Sequence, residues 1–123
     1  MPPVPKKILV VDDDDFLVQL IQVNLQKHGH EVLTASSGET ALVLAKDHRF
    51  EVLVVDVVLT GITGFEFVRQ VKVMEGYADV PVLIITARTS SGDHDEARDV
   101  GASEILTKPF DLEDLYMKIE EIS

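Results

Sequence analysis

The chain has 123 residues, a length that fits one folded domain with a single hydrophobic core and leaves no room for a second. Its 22 acidic and 11 basic side chains give a formal net charge of −11, which disfavours nucleic acid or an anionic membrane as a partner, because both need clustered Lys and Arg. The absence of cysteine excludes a disulfide framework, and no apolar run is long enough to span a bilayer, so we expect a cytoplasmic protein.

Five short strand-like segments alternate with longer helical patterns along the chain: Ile8–Val11, Glu31–Ala35, Val52–Val55, Val82–Ile85 and Glu104–Thr107. The first, third and fourth segments are continuous aliphatic runs, which is typical of parallel strands that are covered on both faces. The second and fifth are more polar, which suits the edges of a sheet. Placing the apolar strands in the centre predicts a flavodoxin-like, doubly wound α/β fold, with five helices and strand order 2-1-3-4-5.

Apolar residues at helical spacing predict the buried faces of the first, third and fifth helices: Leu17, Leu20, Ile21 and Leu25; Phe65, Val68 and Val71; and Leu112, Leu115, Ile119 and Ile122. At the start of the second helix, Ser36 and Glu39 have the spacing of a capping box. Asp111 is the expected N-cap of the fifth helix.

The fourth predicted helix, roughly Ser91 to Val100, differs from the others. Its apolar side offers little beyond Ala97 and Val100, and charged residues surround it: Asp93, Asp95, Glu96, Arg98 and Asp99. Low apolar burial lowers the free energy needed for local movement. The pattern fits a mobile element and a static, solvated helix equally well.

Polar side chains follow four of the five predicted strands, at the point where each strand ends. They are Asp12 and Asp13 after the first strand, Asp56 after the third, Thr86 at the end of the fourth, and Lys108-Pro109 after the fifth. Each alone is explained as a turn, helix-terminus or surface residue. Doubly wound sheets, however, bind ligands at the carboxyl ends of the strands, near the point where the strand order reverses. Their convergence there favours a functional site.

Three carboxylates held close together repel one another, so such a site favours a bound divalent cation. Oxygen ligands suit a hard ion, and we expect Mg²⁺ or a similar cation such as Mn²⁺. A phosphoryl donor between the metal and a lysine ammonium would be open to attack by a carboxylate, which would give an aspartyl phosphate. Asp56 is the candidate nucleophile, Asp12 and Asp13 are candidate metal ligands, and Lys108 is the candidate phosphate counter-charge.

Six segments together resemble bacterial response-regulator receiver domains in order and spacing: Ile8–Asp14, Leu53–Asp56, Gly61 with Gly64–Glu66, Ile84–Ala87, Gly101–Ser103 and Thr107–Phe110. The resemblance covers about residues 6–122 and predicts a single receiver domain over 1–123. It implies a phosphorelay switch, not an enzyme that turns over an external substrate. The phosphoryl group would come from a histidine kinase or a histidine phosphotransfer protein. Whether the chain acts alone or within a longer protein stays open.

The same resemblance implies the remaining roles at the site. The Val58 backbone carbonyl would join Asp12, Asp13 and Asp56 as a metal ligand, and the Ala87 backbone would line the phosphate pocket. Thr86 and position 105 would act as the switch, and the Lys108–Pro109 peptide would be cis. The fourth helix, fifth strand and fifth helix would form the surface that an output protein or a second copy reads.

Several positions depart from the usual receiver pattern. Thr60 stands where proline is common and Thr63 where Asp or Asn is common, so we expect a looser loop after Asp56 but a working site. Ile105 replaces the usual Tyr or Phe, which predicts a weaker or different readout. The resemblance also implies that Val58 and Arg88 flank the approach of water to Asp56, which predicts slow self-dephosphorylation.

Two alternative functions remain. A haloacid-dehalogenase-type phosphatase also forms an aspartyl phosphate, but it needs a second acid two residues after the nucleophile, where this chain has Val58. A pseudo-receiver would bind partners without using phosphate, and Ile105 keeps this alternative open. We expect the histidines to be exposed and not to bind metal: His28, His30, His48 and His94.

Overall fold

The computed structural model describes residues 4–87 and 90–123. Its elements are β1 (Lys7–Val11), α1 (Asp15–Lys27), β2 (Glu31–Ala35), α2 (Gly38–Asp47), β3 (Val52–Asp56), α3 (Gly64–Lys72), β4 (Val82–Thr86), α4 (Ser91–Asp99), β5 (Glu104–Thr107) and α5 (Leu112–Ile122). The strands form one sheet in the order β2-β1-β3-β4-β5, and each neighbouring pair is parallel. The predicted flavodoxin-like fold and strand order are confirmed. Within the two described ranges, no helix has both the length and the apolar character needed to cross a membrane.

Side chains alternate between the two faces of the central strands, so each face has its own apolar core. Ile8 and Val10 of β1 pack on one face with α1 and α5, and Leu9 and Val11 pack on the other with α2, α3 and α4. All residues of β3 and β4 are buried. This double coverage explains why these strands are continuous aliphatic runs, as the sequence indicated.

The predicted helix faces are partly correct. In α3, Phe65, Val68 and Val71 are buried as expected. In α1, the assignment of Leu20 to the core is wrong: its side chain is 41% exposed, and Val18 is buried instead. The helical period was correct, but the orientation of the helix about its axis is set by packing against the sheet.

The expected capping box at Ser36 and Glu39 is also wrong. The helix begins one residue later than that box requires, and Ser37 is its N-cap. The Ser37 Oγ accepts a hydrogen bond from the Thr40 N–H at 3.1 Å. The Glu39 carboxylate instead accepts a hydrogen bond from the Ile62 N–H, at 3.4 Å, in the loop between β3 and α3.

The fourth helix has the small apolar contact that the sequence predicted, through Ala97 and Val100. The placement of Asp93 among the surrounding exposed charges is wrong, because Asp93 is buried. It forms a capping box with Ser90: the Ser90 Oγ accepts from the Asp93 N–H at 3.2 Å, and the Asp93 carboxylate accepts from the Ser90 N–H at 3.3 Å. The start of α4 is therefore well held. Its mobility stays a prediction.

The expectation that the histidines are exposed is confirmed only for His94, because His28 and His48 are half-buried and His30 is buried. Its Nδ1 accepts a hydrogen bond from the Lys6 N–H at 3.0 Å, and its Nε2 lies 3.1 Å from the Glu120 carboxylate. Because both ring nitrogens have partners, the imidazole can be buried without an unsatisfied polar atom.

Candidate functional site

Three carboxylates converge at the carboxyl ends of β1 and β3. Val11 and Val55 are register partners in these adjacent strands, so the residues that follow them, Asp12 and Asp56, emerge side by side. One oxygen from each of Asp12, Asp13 and Asp56 lies within 4.8 Å of the other two. Asp12 and Asp56 are buried, whereas Asp13 is exposed. The topology thus brings together the acids that the sequence selected.

Backbone contacts fix the orientation of Asp12 and Asp56. One Asp12 oxygen accepts a hydrogen bond from the Asp14 N–H at 3.0 Å. One Asp56 oxygen accepts from the Val58 N–H at 3.3 Å. The second oxygen of each carboxylate points to Lys108, whose Nζ lies 2.8 Å from Asp12 and 3.1 Å from Asp56. A single ammonium therefore bridges the two buried acids.

Lys108 reaches this position from the end of β5. Its backbone N–H donates to the Thr86 carbonyl at 2.8 Å, which ties it to the end of β4. The Lys108–Pro109 peptide is cis, as the resemblance implied. The lysine side chain is largely covered, with 21% of its surface exposed.

Burial raises the pKa of Asp56 above its ordinary value of 3.8, and repulsion from Asp12 adds to this effect. The hydrogen bond from Lys108 opposes the shift without cancelling it. Burial also acts to lower the pKa of Lys108, but its hydrogen bonds to Asp12 and Asp56 outweigh that effect, and its pKa is raised. The lysine therefore stays protonated, and its one positive charge cannot neutralise three carboxylates.

The donor set fits a hard divalent cation. Carboxylate oxygens at mutual distances of up to 4.8 Å can share one ion, and Mg²⁺ prefers such oxygen ligands. The exposure of Asp13 gives an ion access from solvent. Val58 lies beside Asp56 through its N–H contact, and the role of its carbonyl as a further ligand stays a prediction.

The other predicted residues lie on β4 and β5 or directly after β4. Thr86 is buried at the end of β4, opposite Thr107 of β5, and Ala87 follows it at the surface. Ile105 is half-buried and packs against the core that lies beneath α4. Arg88 lies outside the described residues. The slow self-dephosphorylation expected from Arg88 and Val58 stays a prediction, although the Val58 side chain is 54% exposed beside Asp56.

The loop after Asp56 is held at its end although Thr63 replaces the Asp or Asn that is common there in receiver domains. Thr63 is the N-cap of α3, and its Oγ1 accepts a hydrogen bond from the Glu66 N–H at 3.1 Å. Gly64 lies so close to the Asp56 carbonyl that a Cβ would overlap it. Sequence reasoning missed the contact of Glu39 with this loop because it assigned Glu39 to a local cap.

Sequence reasoning also missed an apolar groove beside the site. Phe16 and Leu20 of α1 are 72% and 41% exposed. They line a groove of about 380 Å³ together with Asp14, Leu17, Ala87, Lys108, Pro109 and Phe110. Phe16, Leu20 and Val23 have helical spacing, and this second apolar stripe was a signal that could have revealed the surface.

Comparison with known proteins identifies the family. The model of the response regulator receiver domain matches residues 8–120. The chain is 36% identical over 117 residues to the alkaline phosphatase synthesis transcriptional regulatory protein PhoP of Bacillus subtilis, an alignment that covers 95% of this chain and 48% of that protein. It is 34% identical over 116 residues to protein PilH of Pseudomonas aeruginosa, with 94% and 96% covered.

A solved structure of the chemotaxis protein CheY4 of Vibrio cholerae superposes with a TM-score of 0.94 at 38% identity and covers 98% of this chain and 100% of that one. The chain spans about half the length of several curated relatives that it matches, including PhoP, where the share is 48%. Receiver domains are signalling switches and not enzymes in the usual sense. The family match, the fold and the resemblance agree: the chain belongs to the receiver-domain family of two-component response regulators.

Proposed function

We propose that this chain is a phosphoacceptor switch, in which Asp56 takes up a phosphoryl group in a Mg²⁺-dependent reaction. The observation that carries the proposal is the bridge from Lys108 Nζ to Asp12 and Asp56, at 2.8 and 3.1 Å, within a cluster of three carboxylates. Such a cluster offers a nucleophile, ligands for a cation and a counter-charge for phosphate at a single point.

Each residue has a defined task in the proposed transfer. An Asp56 oxygen attacks phosphorus, the new P–O bond forms, and the bond to the donor's imidazole nitrogen breaks. Mg²⁺, bound by Asp12, Asp13, Asp56 and the Val58 carbonyl, would offset the negative charge of the acids and of the phosphoryl oxygens. The Lys108 ammonium then passes from the carboxylates to a phosphoryl oxygen. The Thr86 hydroxyl and the Ala87 backbone N–H are the further proposed donors to that group.

A protein is the proposed donor, namely a histidine kinase or a histidine phosphotransfer protein. The apolar groove that includes Phe16, Leu20 and Phe110 supports this proposal, because it runs beside Lys108 and offers an exposed apolar surface next to the reactive group. Phe16→Ala should therefore slow transfer from a phosphohistidine protein but leave phosphorylation by acetyl phosphate unchanged. With such a donor, we expect the chain to act in the cytoplasm.

The proposed output is a change in the surface formed by α4, β5 and α5, which an output protein or a second copy would read. Ile105 has no aromatic ring to reorient, so we expect Thr86 and α4 to respond through backbone movement. Unchanged chemical shifts across residues 87–105 on phosphorylation would count against this mechanism.

A pseudo-receiver is the second candidate, and Ile105 is the observation that favours it. The two are separated by incubation with Mg²⁺ and acetyl phosphate, followed by intact mass measurement, with Asp56→Asn as the control. We expect one added phosphoryl group that depends on Mg²⁺ and is absent from Asp56→Asn. No adduct with acetyl phosphate or with a phosphotransfer protein, in a chain that still folds, would favour the pseudo-receiver. The phosphatase alternative gains no support from the family assignment.

A further inference from the structure

The loop at residues 57–63 connects Asp56 to α3 and carries Val58. The end of the loop lies close to its start. The Gly64 N–H donates to the Val57 carbonyl at 2.9 Å, and Gly64 packs directly on the Asp56 carbonyl. These contacts hold the two ends of the loop together. They leave the orientation of its middle to other contacts, since Thr60 lacks the restricted φ of a proline.

The middle of the loop is held by the first two residues of α2. A Cβ at Gly38 would overlap the Ile62 side chain, so Ile62 packs directly against the helix backbone. The Glu39 carboxylate accepts the Ile62 N–H at 3.4 Å and lies so close to Gly61 that a Cβ there would overlap it. Gly61 also has a φ of +84°, which favours glycine. One apolar and one polar contact thus join α2 to the same turn.

We infer that Glu39 is a positioning residue, which with Gly38 holds the β3–α3 loop so that the Val58 carbonyl is presented to the metal. The inference rests on the proposed function, because it assigns a purpose to the metal ligands named there. The two contacts of Glu39, with the Ile62 N–H and with Gly61, both act on the middle of the loop. Glu39, which lies outside the loop, thereby supplies a restraint in place of the restricted φ that a proline at position 60 would give.

A simpler explanation is that Glu39 only stabilises the positive end of α2, since it lies in the first turn of that helix. Two substitutions separate the explanations. Glu39→Asp keeps a charge in the first turn but is one methylene too short for the Ile62 N–H. Glu39→Gln loses the charge but keeps the length and an acceptor oxygen.

The experiment measures the dissociation constant of Mg²⁺ alone by NMR titration, and hydrogen exchange of the amides at residues 57–63 in metal-free protein. A positioning role predicts that Glu39→Asp weakens Mg²⁺ binding by between about twofold and tenfold, the equivalent of one ordinary hydrogen bond, and speeds exchange at Ile62. Glu39→Gln should stay closer to the unsubstituted chain than Glu39→Asp in both measurements.

Glu51→Asp is the matched control, because the Glu51 carboxylate makes the same type of bond, to the Lys7 N–H at 3.0 Å, at the opposite end of the sheet. Its Mg²⁺ affinity should not change. Equal affinity and equal exchange in Glu39→Asp and the unsubstituted chain would overturn the inference, as would an equal loss in Glu51→Asp. If the unsubstituted chain binds no Mg²⁺, the proposed function itself fails, and the inference fails with it.

Discussion

Both ends of the sheet carry ionisable side chains, but these side chains have different surroundings at the two ends. At the amino ends of the strands, polar groups are matched with complementary partners. Lys7 Nζ lies 2.8 Å from His48 Nδ1 and 3.6 Å from the Glu31 carboxylate. The buried His30 joins the Lys6 N–H to Glu120. The His30 contacts satisfy a buried polar group, as in any stable core, whereas the Lys7–Glu31 pair is partly exposed.

At the carboxyl ends, three carboxylates lie together, and the ammonium of Lys108 contacts only two of them, Asp12 and Asp56. The pKa of Asp56 is raised by burial and by the charge of Asp12. Repulsion among these carboxylates should act against the metal-free fold, since two of them, Asp12 and Asp56, are also buried. Uncompensated charge, and not the number of charges, therefore distinguishes the candidate site from the opposite end of the sheet.

Mg²⁺ should stabilise the fold only by binding to the carboxylate cluster at the carboxyl ends of the strands. Because only the folded chain assembles the three acids, a Mg²⁺ concentration roughly 100-fold above the dissociation constant should add about 2.7 kcal/mol to the free energy of unfolding. Urea unfolding with and without Mg²⁺, at matched ionic strength, measures this gain. Asp13→Asn should lose most of it, whereas the same gain in Asp13→Asn would show that the ion binds elsewhere.

Tyr77→Phe should destabilise the fold at the amino ends of the strands without changing phosphorylation at Asp56. The buried Tyr77 hydroxyl lies 2.8 Å from the Ala45 carbonyl and 2.7 Å from the His48 carbonyl, and it accepts the Phe50 N–H at 3.2 Å. Removing it leaves buried polar groups unsatisfied and should lower the free energy of unfolding by roughly 1–3 kcal/mol. Urea unfolding measures the loss. A changed rate of phosphorylation by acetyl phosphate in the folded variant would contradict the separation of the two ends.

Asp56→Asn should have the opposite effect on stability. The amide keeps the size of the side chain and removes one of three crowded charges. Without metal, we expect the free energy of unfolding to rise by about 1 kcal/mol near neutral pH, because Lys108 already offsets part of the repulsion. A loss of stability in this variant would mean that the Lys108 contact outweighs the repulsion.

The gain from Asp56→Asn should depend on pH. The pKa of Asp56 is raised above 3.8, so between 3.8 and the raised value the folded chain binds more protons than the unfolded chain. The contribution of Asp56 to the stability of the unsubstituted, metal-free chain therefore falls as pH rises through that window. The difference between the two proteins should be complete above the raised pKa and vanish below 3.8. If the difference in the free energy of unfolding does not depend on pH, then packing, and not charge, causes it.

The sequence was most informative where one strong physical pattern decides the outcome. Continuous aliphatic runs of strand length favour strands covered on both faces, and placing them in the centre of the sheet predicted the strand order. The rule for parallel sheets then brought Asp12 and Lys108, 96 residues apart in the chain, to one point. The distances and the direction of the Asp56 pKa shift required the structure, because they depend on burial and on side-chain orientation.

The errors occur where several local solutions have nearly equal free energies. Ser36 and Ser37 are adjacent candidates for the same cap, and the structure shows that Ser37, in an extended conformation, accepts the Thr40 N–H. Leu20 fits the helical period but faces away from the sheet. The partner of His30, Glu120, is 90 residues away, so no local pattern could have predicted that the ring is buried.

The central claim is that Asp56, and no neighbouring acid, accepts the phosphoryl group. Because substitution of Asp56 also disturbs its neighbours, the most direct test locates the group in the unsubstituted chain. Sodium borohydride reduces an aspartyl phosphate to homoserine, and peptide mass mapping identifies the converted residue. After incubation with Mg²⁺ and acetyl phosphate, homoserine should appear at position 56 alone. Conversion at Asp12 or Asp13, or no conversion in a chain that has gained a phosphoryl group, would contradict it.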